Sequence, residues 1–545
     1  MKIVKCILSL SILALTVISC KKESFVKVNS DPNTLYKVDP ADQFLAAATG
    51  CQDDFEYYYD VYRALNYWLQ YSTNQSGNAL GFMNPSSNFN ERYSKIFYGR
   101  VGAYLSDIPQ LISKMSPDEQ AKRVYQQNIA AIFKAYYAFY VSDINGSIPY
   151  TEAFQARYGG TLYPKYDRQQ DLFDTLDLQI KNAVKTLETA QTIDQSLYGA
   201  KDPFYGTAAD QVKEWIGAGN ALRLKIALRL MKQDPAKLQS IATEVIADAN
   251  QMSANSDGWV LLVGPNYANA TGNFNPIGFA ASKPLIDFMS AKSDPRLRIF
   301  YTTNSAGNYL GSFPSPDDAT NPANQALYKK AADTFSVIQP RLFAPNYAYS
   351  GGPNAGVLGT GNGFFPILTY AEYCFIRADL AARNITTDNA AEWYKKGVTA
   401  SIQYYNTRAI DADILTDAIG VTNYAPVVQP EIDAYLIKPG ILFNPATAVE
   451  QIDCQAYLEF FRQPNEAWAW WKRTGFPNTG SVVSWSDLKG NGNELIMPRR
   501  ALLVLKFASD ANYDNQKAAY DEMATDPDFG SGPGDVYGRV WWDKK

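Results

Sequence analysis

The sequence of this 545-residue chain contains no histidine, so the catalytic options that remain are carboxylate pairs, lysine and tyrosine. The absence of histidine excludes catalytic triads with a histidine base, histidine-dependent zinc sites and histidine acid–base chemistry. Asp53, Asp54, Glu56 and Asp60 lie close together, and a pair of carboxylates is what glycoside hydrolysis requires. However, this segment has helical spacing, and acids on such a helix are expected to be solvated. The cluster therefore does not single out a catalytic pair.

Acidic loop residues are the next candidates, as ligands of a calcium ion. Asp317 and Asp318, or Asp526 and Asp528, supply carboxylates, but neither pair has the spacing of an EF-hand loop. We therefore expect neither a metal nor a cofactor. The residues favour a binding protein over an enzyme.

One cysteine, Cys20, has the surroundings of a lipidation site. Lys2 and Lys5 precede an uncharged run over 7–18, which is shorter than the ~20 apolar residues of a membrane-spanning helix. The run ends in Val-Ile-Ser-Cys, and a small residue before a cysteine resembles the bacterial lipobox. We expect residues 1–19 to be a signal peptide and Cys20 to be acylated at the start of a tether over 20–40. Each buried methylene of the acyl chains would contribute ~0.8 kcal/mol to membrane anchoring.

Aromatic residues make up 14% of the chain, which is a high share. Sugar rings have apolar C–H faces and hydroxyl rims that suit the flat faces and polar edges of Tyr and Trp. Most aromatics are expected to fill helix interfaces, and a minority to line a saccharide site together with polar groups. Two regions, 71–93 and 341–365, supply both kinds of side chain. The predicted ligand-binding residues are Tyr71, Asn74, Gln75, Phe82, Phe89, Tyr93, Arg341, Tyr347, Tyr349 and Asn362.

The formal net charge of −5 argues against nucleic acid as a partner. Removal of two lysines with the signal peptide leaves 48 basic against 55 acidic residues, a net charge of −7. Phosphate binding needs clustered Lys and Arg instead. Beyond Cys20 only Cys51, Cys374 and Cys454 remain, and we expect buried thiols, with a bridge such as Cys51–Cys374 as the open alternative.

Helical periodicity dominates the chain from residue 41 onward, and the fold class expected is all-α. The clearest apolar faces lie in 124–141, 170–190 and 211–232. The segments 368–383 and 389–407 are reminiscent of a tetratricopeptide-type helical hairpin. The stretch before this hairpin, about 255–365, is rich in Gly, Pro, Asn and Ser, and long loops of this kind are uncommon unless functional. We expect one helical domain over 41–545 with this loop-rich insertion facing the ligand.

Several segments, in order along the chain, together resemble one family. Residues 143–153 read Asp-Ile-Asn-Gly-Ser-Ile-Pro-Tyr-Thr-Glu-Ala, and they are similar to a stretch that follows a tyrosine-rich helix in the SusD/RagB-like outer-membrane lipoproteins of Bacteroidetes. The subgroup that the chain most resembles is described as starch-binding and associated with the outer membrane. The further segments that carry the resemblance are 163–170, 215–230, 369–379, 466–477 and 498–500.

The resemblance implies a function without catalysis. Proteins of this family sit as lids on a TonB-dependent, SusC-like barrel, to which they deliver glycans. It therefore implies an outer-membrane, lipid-anchored and surface-exposed protein. A peptide-binding lid on the same type of transporter is an open alternative, and a carboxylate-dependent glycoside hydrolase is a further one.

Most of the motif residues are predicted to have structural roles. Arg223 and Arg473 are expected to bind carboxylates inside the fold, and Glu372 to pair with an arginine. Asp143 is expected to cap or bond the backbone of the turn that follows it. The basic row of Lys225, Arg229 and Lys232 is interpreted as a solvated or salt-bridged helix face rather than a ligand site.

Overall fold

A computed structural model describes residues 38–52, 56–63, 65–81, 83, 89–265 and 278–545. The predicted signal peptide, the lipidation site Cys20 and most of the tether lie outside the described residues. The same holds for Asp53, Asp54 and Phe82. Among the described residues, none of the helices combines the length and the apolar character that crossing a bilayer requires.

The structure is 51% helical with only short strands, which confirms the predicted all-α-dominated class. The first half of the chain begins with α1, whose start is capped by Asp39 and followed by Pro40 at the first turn. Two π-helices, Glu56–Arg63 and Arg92–Val101, flank the first loop. The α-helices of this half are α1 Pro40–Gly50, α2 Leu65–Trp68, α3 Gly102–Ser113, α4 Pro117–Ala121, α5 Val124–Asn145, α6 Gln169–Glu188, α7 Gln211–Leu228 and α8 Pro235–Ile246.

The second half contains several short helices, followed by longer ones. The α-helices are α9 Lys283–Lys292, α10 Leu297–Phe300, α11 Pro316–Thr320, α12 Gln325–Tyr328, α13 Ala331–Thr334, α14 Pro340–Phe343, α15 Tyr370–Ala382, α16 Ala390–Asp411, α17 Gln429–Leu436, α18 Ala448–Glu459, α19 Pro464–Thr474 and α20 Tyr513–Met523. Six short 3₁₀ segments lie among the described residues, at Ala156–Tyr158, Gly199–Lys201, Asn255–Asp257, Pro445–Thr447, Phe460–Arg462 and Pro527–Phe529.

Three small antiparallel ribbons lie among the described residues. Strand β1 (Ser72–Asn74) pairs with β3 (Phe279–Ala281), so the first loop meets the start of the mid-chain region. Strand β2 (Trp259–Val263) pairs with β4 (Gly363–Leu368), which closes that region onto the helical core. The third ribbon joins β5 (Lys489–Gly490) to β6 (Asn493–Glu494).

Helices pack closely where small residues face bulky ones. The helices α15 and α16 form the predicted hairpin, and a Cβ atom added at Gly397 would lie 2.7 Å from the ring of Phe375. Likewise, a Cβ atom at Gly219 of α7 would lie 2.6 Å from Val184 of α6. These contacts confirm that glycine occupies positions of close approach in both helix pairs.

The charged motif residues meet in a buried ion network between α5, α7, α15 and α19. Nζ of Lys225 lies 2.8 Å from Glu372 and 3.0 Å from Glu466. The guanidinium of Arg229 lies 2.8 Å from Asp143 and 3.0 Å from the same Glu466. Lys225 and Arg229 of the basic row are therefore salt-bridged, whereas Nζ of Lys232 donates to the carbonyl of Lys544 at 2.7 Å. Two predicted partners were wrong. Glu372 pairs with a lysine, and Asp143 binds an arginine side chain rather than its own turn.

The other two arginine predictions are confirmed. Arg223 binds Asp177 at 2.8 Å and Glu244 at 3.3 Å. Arg473 binds Asp379 at 2.5 Å. These pairs tie helices together at points that are remote in sequence.

The early acidic residues that the structure describes are buried, which corrects the prediction of a solvated acidic face. Asp60 lies 3.1 Å from Nε of Arg92 and accepts the backbone N–H of Glu91 at 2.8 Å. Glu56 accepts the backbone N–H of Gln52 at 2.8 Å. Both carboxylates therefore hold the π-helical segments together instead of facing water.

The three described cysteines are buried thiols, as predicted. Burial raises the pKa of Cys374 and of Cys454 to about 12. Both groups therefore remain protonated at neutral pH and pack as small apolar side chains.

Candidate ligand-binding groove

An open groove of about 460 Å³ lies beside α9, and we refer to it as the α9 groove. Residues at positions 283, 284, 287, 288, 291 and 292 line it, and this spacing corresponds to one face of a helix. Its other walls come from the segments around Phe313 and Trp485. The groove thus joins three parts of the chain that are distant in sequence.

Local sequence explains why α9 presents this face. Pro284 stands in the first turn, where the missing N–H costs nothing, and Ser293 ends the helix in a left-handed conformation with φ of 55°. Leu285, Ile286 and Met289 turn into the core. The opposite face is left for Lys283 and the other lining residues.

Phe313 is held in the groove wall by its backbone. Its carbonyl accepts a hydrogen bond from Oγ1 of Thr73 at 3.4 Å, and its N–H donates to the hydroxyl of Tyr328 at 3.2 Å. The ring is partly exposed. Because both anchors bind the main chain, they position the ring without depending on it.

The wall around Trp485 is anchored from the first loop. Gln70 forms two hydrogen bonds with the backbone of Ser486, both at 2.9 Å. Trp485 itself is 8% exposed and packs at 5.7 Å against the ring of Tyr457. Burial raises the pKa of Tyr457 well above its ordinary value, so its hydroxyl stays protonated and donates to the carbonyl of Leu69 at 2.7 Å.

Charged side chains of both signs border the aromatic ones. Lys283 and Asp287 form an exposed pair at 2.5 Å, and Lys292 and Asp318 complete the polar lining. Apolar rings with carboxylates and ammonium groups at their edge can stack on a sugar ring and bind its hydroxyls. Among the described residues, no group of three or more metal-ligating side chains is present.

The first set of predicted site residues lies partly behind this groove. Tyr71 is buried, stacked on Tyr457 at 4.3 Å, and its hydroxyl donates to the carbonyl of Tyr457 at 2.5 Å. Asn74 and Gln75 are partly buried at the end of β1, where Oδ1 of Asn74 accepts the N–H of Ser76 at 2.8 Å. The ring and hydroxyl of Tyr71 therefore contribute to the core, and a ligand role for this residue stays a prediction.

Phe89 and Tyr93 line a different cavity, of about 250 Å³. Phe89 is buried against Trp468 at 5.7 Å, so its ring packs in the core, and a ligand role for it stays a prediction. Tyr93 is partly exposed, and its hydroxyl lies 3.2 Å from that of Tyr166. A ligand role for Tyr93 stays a prediction.

The second predicted set lies near the loop that follows α16. Arg341 is buried and binds Asp413 at 3.0 Å, and Tyr349 is buried with its hydroxyl donating to Gln339 at 2.9 Å. These two residues therefore hold loops together, and a ligand role for either of them stays a prediction. Tyr347 is partly exposed and Asn362 is exposed, so for both a ligand role stays a prediction.

Sequence reasoning missed the residues that form the α9 groove. Positions 283–291 are predicted as a helical run, but the sequence does not indicate that they meet Phe313 or Trp485. The regions 71–93 and 341–365 attract attention because their loops are rich in Tyr and Asn. Loop composition indicates exposure, whereas the groove depends on long-range packing.

Comparisons with solved structures show what fold this chain has. A chitin-binding protein aligns with a TM-score of 0.68 at 22% identity, covering 93% of this chain and 100% of its own. A SusD-like protein named Bacteroidetes AC2a aligns with a TM-score of 0.67 at 21% identity, with the same coverage. A chitin-binding SusD homologue from Flavobacterium johnsoniae aligns with a TM-score of 0.63 at 17% identity, covering 93% and 98%. These similarities confirm the SusD-like fold.

A comparison with curated protein sequences finds no match. The family comparison is decisive, because residues 33–503 match the SusD-like family described as "Starch-binding associating with outer membrane". This match spans most of the chain and agrees with the structural similarities. The chain therefore belongs to the SusD-like family of starch-binding proteins that associate with the outer membrane.

Proposed function

We propose that this protein is a non-catalytic receptor that captures a glycan in the α9 groove. The observation that carries the proposal is the groove itself, in which Phe313 and Trp485 stand beside charged side chains on a SusD-like scaffold. An oligosaccharide would lay sugar faces on the rings and hydroxyl groups against Lys292 and Asp318.

The protein would act at the outer membrane as the lid of a TonB-dependent, SusC-like barrel, held there through acylated Cys20. Family membership supports the association with the outer membrane. The lipobox-like sequence before Cys20 supports the anchor. Delivery to a transporter requires binding that can be reversed, and it does not require cleavage of the cargo.

Absence of catalysis is part of the proposal. Glu56 and Asp60, the acids of the early cluster that the structure describes, are buried among hydrogen-bond donors. The α9 groove has two carboxylates, Asp287 and Asp318, of which Asp287 is paired with Lys283. These placements do not favour the glycoside hydrolase alternative, which needs an acid and a second carboxylate on either side of a scissile bond.

Calorimetric titration of the mature chain with oligosaccharides tests the proposal. Chito-oligosaccharides and malto-oligosaccharides are suitable first probes, since two structural relatives are named for chitin binding and the family for starch. We expect Phe313→Ala to weaken binding about tenfold, because a stacked ring contributes roughly 0.5–1.5 kcal/mol beyond the apolar area that it buries.

The matched control is Phe507→Ala, which removes an 80% exposed ring that does not line the groove. It should leave affinity unchanged. Equal affinities for the wild-type chain and Phe313→Ala would refute the groove assignment. Binding of a peptide library in the groove, with no glycan binding, would establish the peptide-binding alternative instead.

A further inference from the structure

A second cavity, of about 450 Å³, lies between α3, α5 and the segment 151–160. Its size is within the roughly 300–1,000 Å³ of small-molecule pockets. It shares no lining residue with the α9 groove. What the α9 groove binds therefore has no bearing on what this cavity binds.

Lys134 of α5 is the one lysine that lines this cavity. Its Nζ lies 4.9 Å from the ring centre of Tyr150 and 5.4 Å from that of Phe154. Among the described residues, no carboxylate lies within 4.0 Å of this ammonium group. Burial lowers the pKa of Lys134 to about 8, with no opposing charge to offset it. A partly buried cation without a counter-ion is costly, which favours the binding of an anion.

Ser106 of α3 supplies an independent observation. This residue lines the same cavity, and its hydroxyl oxygen is buried and forms no hydrogen bond with any described residue. Buried hydroxyls are normally satisfied, so an unpaired one beside a cavity indicates a missing partner. The cavity thus has a cation that contacts aromatic rings but no carboxylate, and a hydroxyl group without a hydrogen-bond partner among the described residues.

The remaining walls are suited to a sugar ring. Phe154 offers an aromatic ring, and the side-chain amides of Gln127 and Gln155 line the cavity beside it. Hydrogen bonds hold this wall in place. Oε1 of Gln179 accepts a hydrogen bond from the hydroxyl of Tyr150 at 2.7 Å, and Nε2 of Gln179 donates to the carbonyl of Ala131 at 2.8 Å. Amides and an aromatic ring around an ammonium group provide both hydroxyl recognition and carboxylate recognition.

We infer that this cavity binds an acidic sugar unit, with its carboxylate on Lys134 and a ring hydroxyl on Ser106. The ammonium group would donate charge-assisted hydrogen bonds to the carboxylate, and Phe154 would cover the apolar face of the sugar ring. The site would be a second, charge-selective subsite of the protein, separate from the α9 groove.

Calorimetric titration of the mature chain with sodium glucuronate tests this inference. Glucose is the matched ligand, since it carries a neutral hydroxymethyl group where glucuronate carries the carboxylate, and inorganic phosphate tests for a general anion site. We expect saturable binding of glucuronate, with glucose and phosphate each at least about tenfold weaker. No binding of glucuronate, or equal binding of phosphate, would overturn the assignment.

Variants locate the binding in this cavity. Lys134→Met, which keeps the length but removes the charge, should weaken glucuronate binding at least about tenfold. Lys114→Met removes a nearby lysine that does not line the cavity and should have no effect. Phe313→Ala in the α9 groove should also leave glucuronate affinity unchanged. If the affinity of Lys134→Met equals that of the wild-type chain, the inference is wrong.

Ser106→Ala keeps the test decisive if Lys134→Met does not fold. This variant removes only an unpaired hydroxyl, so its melting temperature should not fall. Glucuronate binding should weaken about twofold to tenfold, since one neutral hydrogen bond is lost. Unchanged affinity in Ser106→Ala would contradict the proposed position of the sugar.

Discussion

At the scale of single residues, the buried ion network explains why charged positions recur in an otherwise apolar core. Lys225 lies between Glu372 and Glu466, while Arg229 shares Glu466 with Asp143. Burial raises the pKa of Glu466, but Arg229 and Lys225 together outweigh it and lower the pKa to about 2. For Glu372, burial and the nearby Glu466 outweigh Lys225, and its pKa rises to about 8. The pKa values of two carboxylates beside one lysine are therefore shifted in opposite directions.

Loss of Arg229 should destabilise the fold strongly. Arg229→Met would leave Asp143 and Glu466 buried without one of their cations, and the free energy of unfolding should fall by about 3–5 kcal/mol. Arg298→Met, which breaks a more exposed pair with Glu431, should cost about 1 kcal/mol or less. Urea denaturation of both variants measures the difference. Similar losses in the two variants would contradict a structural role for the network.

Titration of Glu372 should make stability depend on pH. Between its ordinary pKa of 4.5 and its folded pKa of about 8, the folded state binds more protons at this site than the unfolded state, so the group's contribution to stability falls as pH rises. Glu372→Gln does not titrate. The melting temperature of this variant minus that of the wild-type chain should therefore increase from about pH 5 to about pH 8.

Glu431→Gln is the control for this pH dependence. Arg298 lowers the pKa of Glu431 below its ordinary value, so its contribution to stability is lost only as pH falls below about 4.5. The difference in melting temperature should stay constant for Glu431→Gln from about pH 5 to about pH 8. A constant difference for Glu372→Gln over the same range would show that this carboxyl group is not protonated in the folded state.

At the scale of elements, close helix packing depends on glycine where an aromatic ring lies opposite. Gly397→Val would place a branched side chain against the buried ring of Phe375, which has no room to move. Overpacking of this kind costs about 1–3 kcal/mol in the free energy of unfolding. Lys395→Ala on the exposed face of the same helix should change it by less than about 0.5 kcal/mol. Equal stability of the two variants would contradict the close approach of α15 and α16.

Most helices could be predicted from the sequence, because helical periodicity is a local signal. The predicted segments 124–141, 170–190 and 211–232 correspond to Val124–Asn145, Gln169–Glu188 and Gln211–Leu228. The segment 448–472 is largely helical in the structure but is not one continuous helix. It is interrupted at Phe460–Arg462, and Pro464 begins a new helix because proline cannot continue the old one.

The candidate site could not be predicted in the same way. The composition of loops directs attention to Tyr71 and Tyr349, whose rings turn out to be buried. The α9 groove arises only when α9, Phe313 and Trp485 come together, and no local pattern specifies which loops will meet. Likewise, the sequence shows that Glu372 is a charged residue on an apolar helix but does not identify Lys225 as its partner.

At the scale of the whole molecule, the protein is a helical body that carries the α9 groove, and its family associates with the outer membrane. Strands β1 and β3 and the bonds from Gln70 and Thr73 fix the groove walls to the helical core. The groove is therefore largely preformed, which reduces the entropy lost on binding.

The proposed anchor makes a prediction at this scale. Cys20→Ala should prevent acylation, so the chain should move from the membrane fraction to the soluble fraction. Fractionation followed by immunoblotting measures the distribution. The variant Cys51→Ala changes a buried thiol instead and should stay with the membrane. Membrane retention of Cys20→Ala would contradict anchoring through this residue.

Native mass spectrometry of the mature chain mixed with a chito-oligosaccharide or malto-oligosaccharide of known length tests the central claim most directly. We expect a complex whose mass is that of the protein plus the intact oligosaccharide. After prolonged incubation, the ligand should keep its full length. Shortened oligosaccharides that appear only with the protein, or no complex with any glycan, would contradict the proposal that this protein binds glycans without cleaving them.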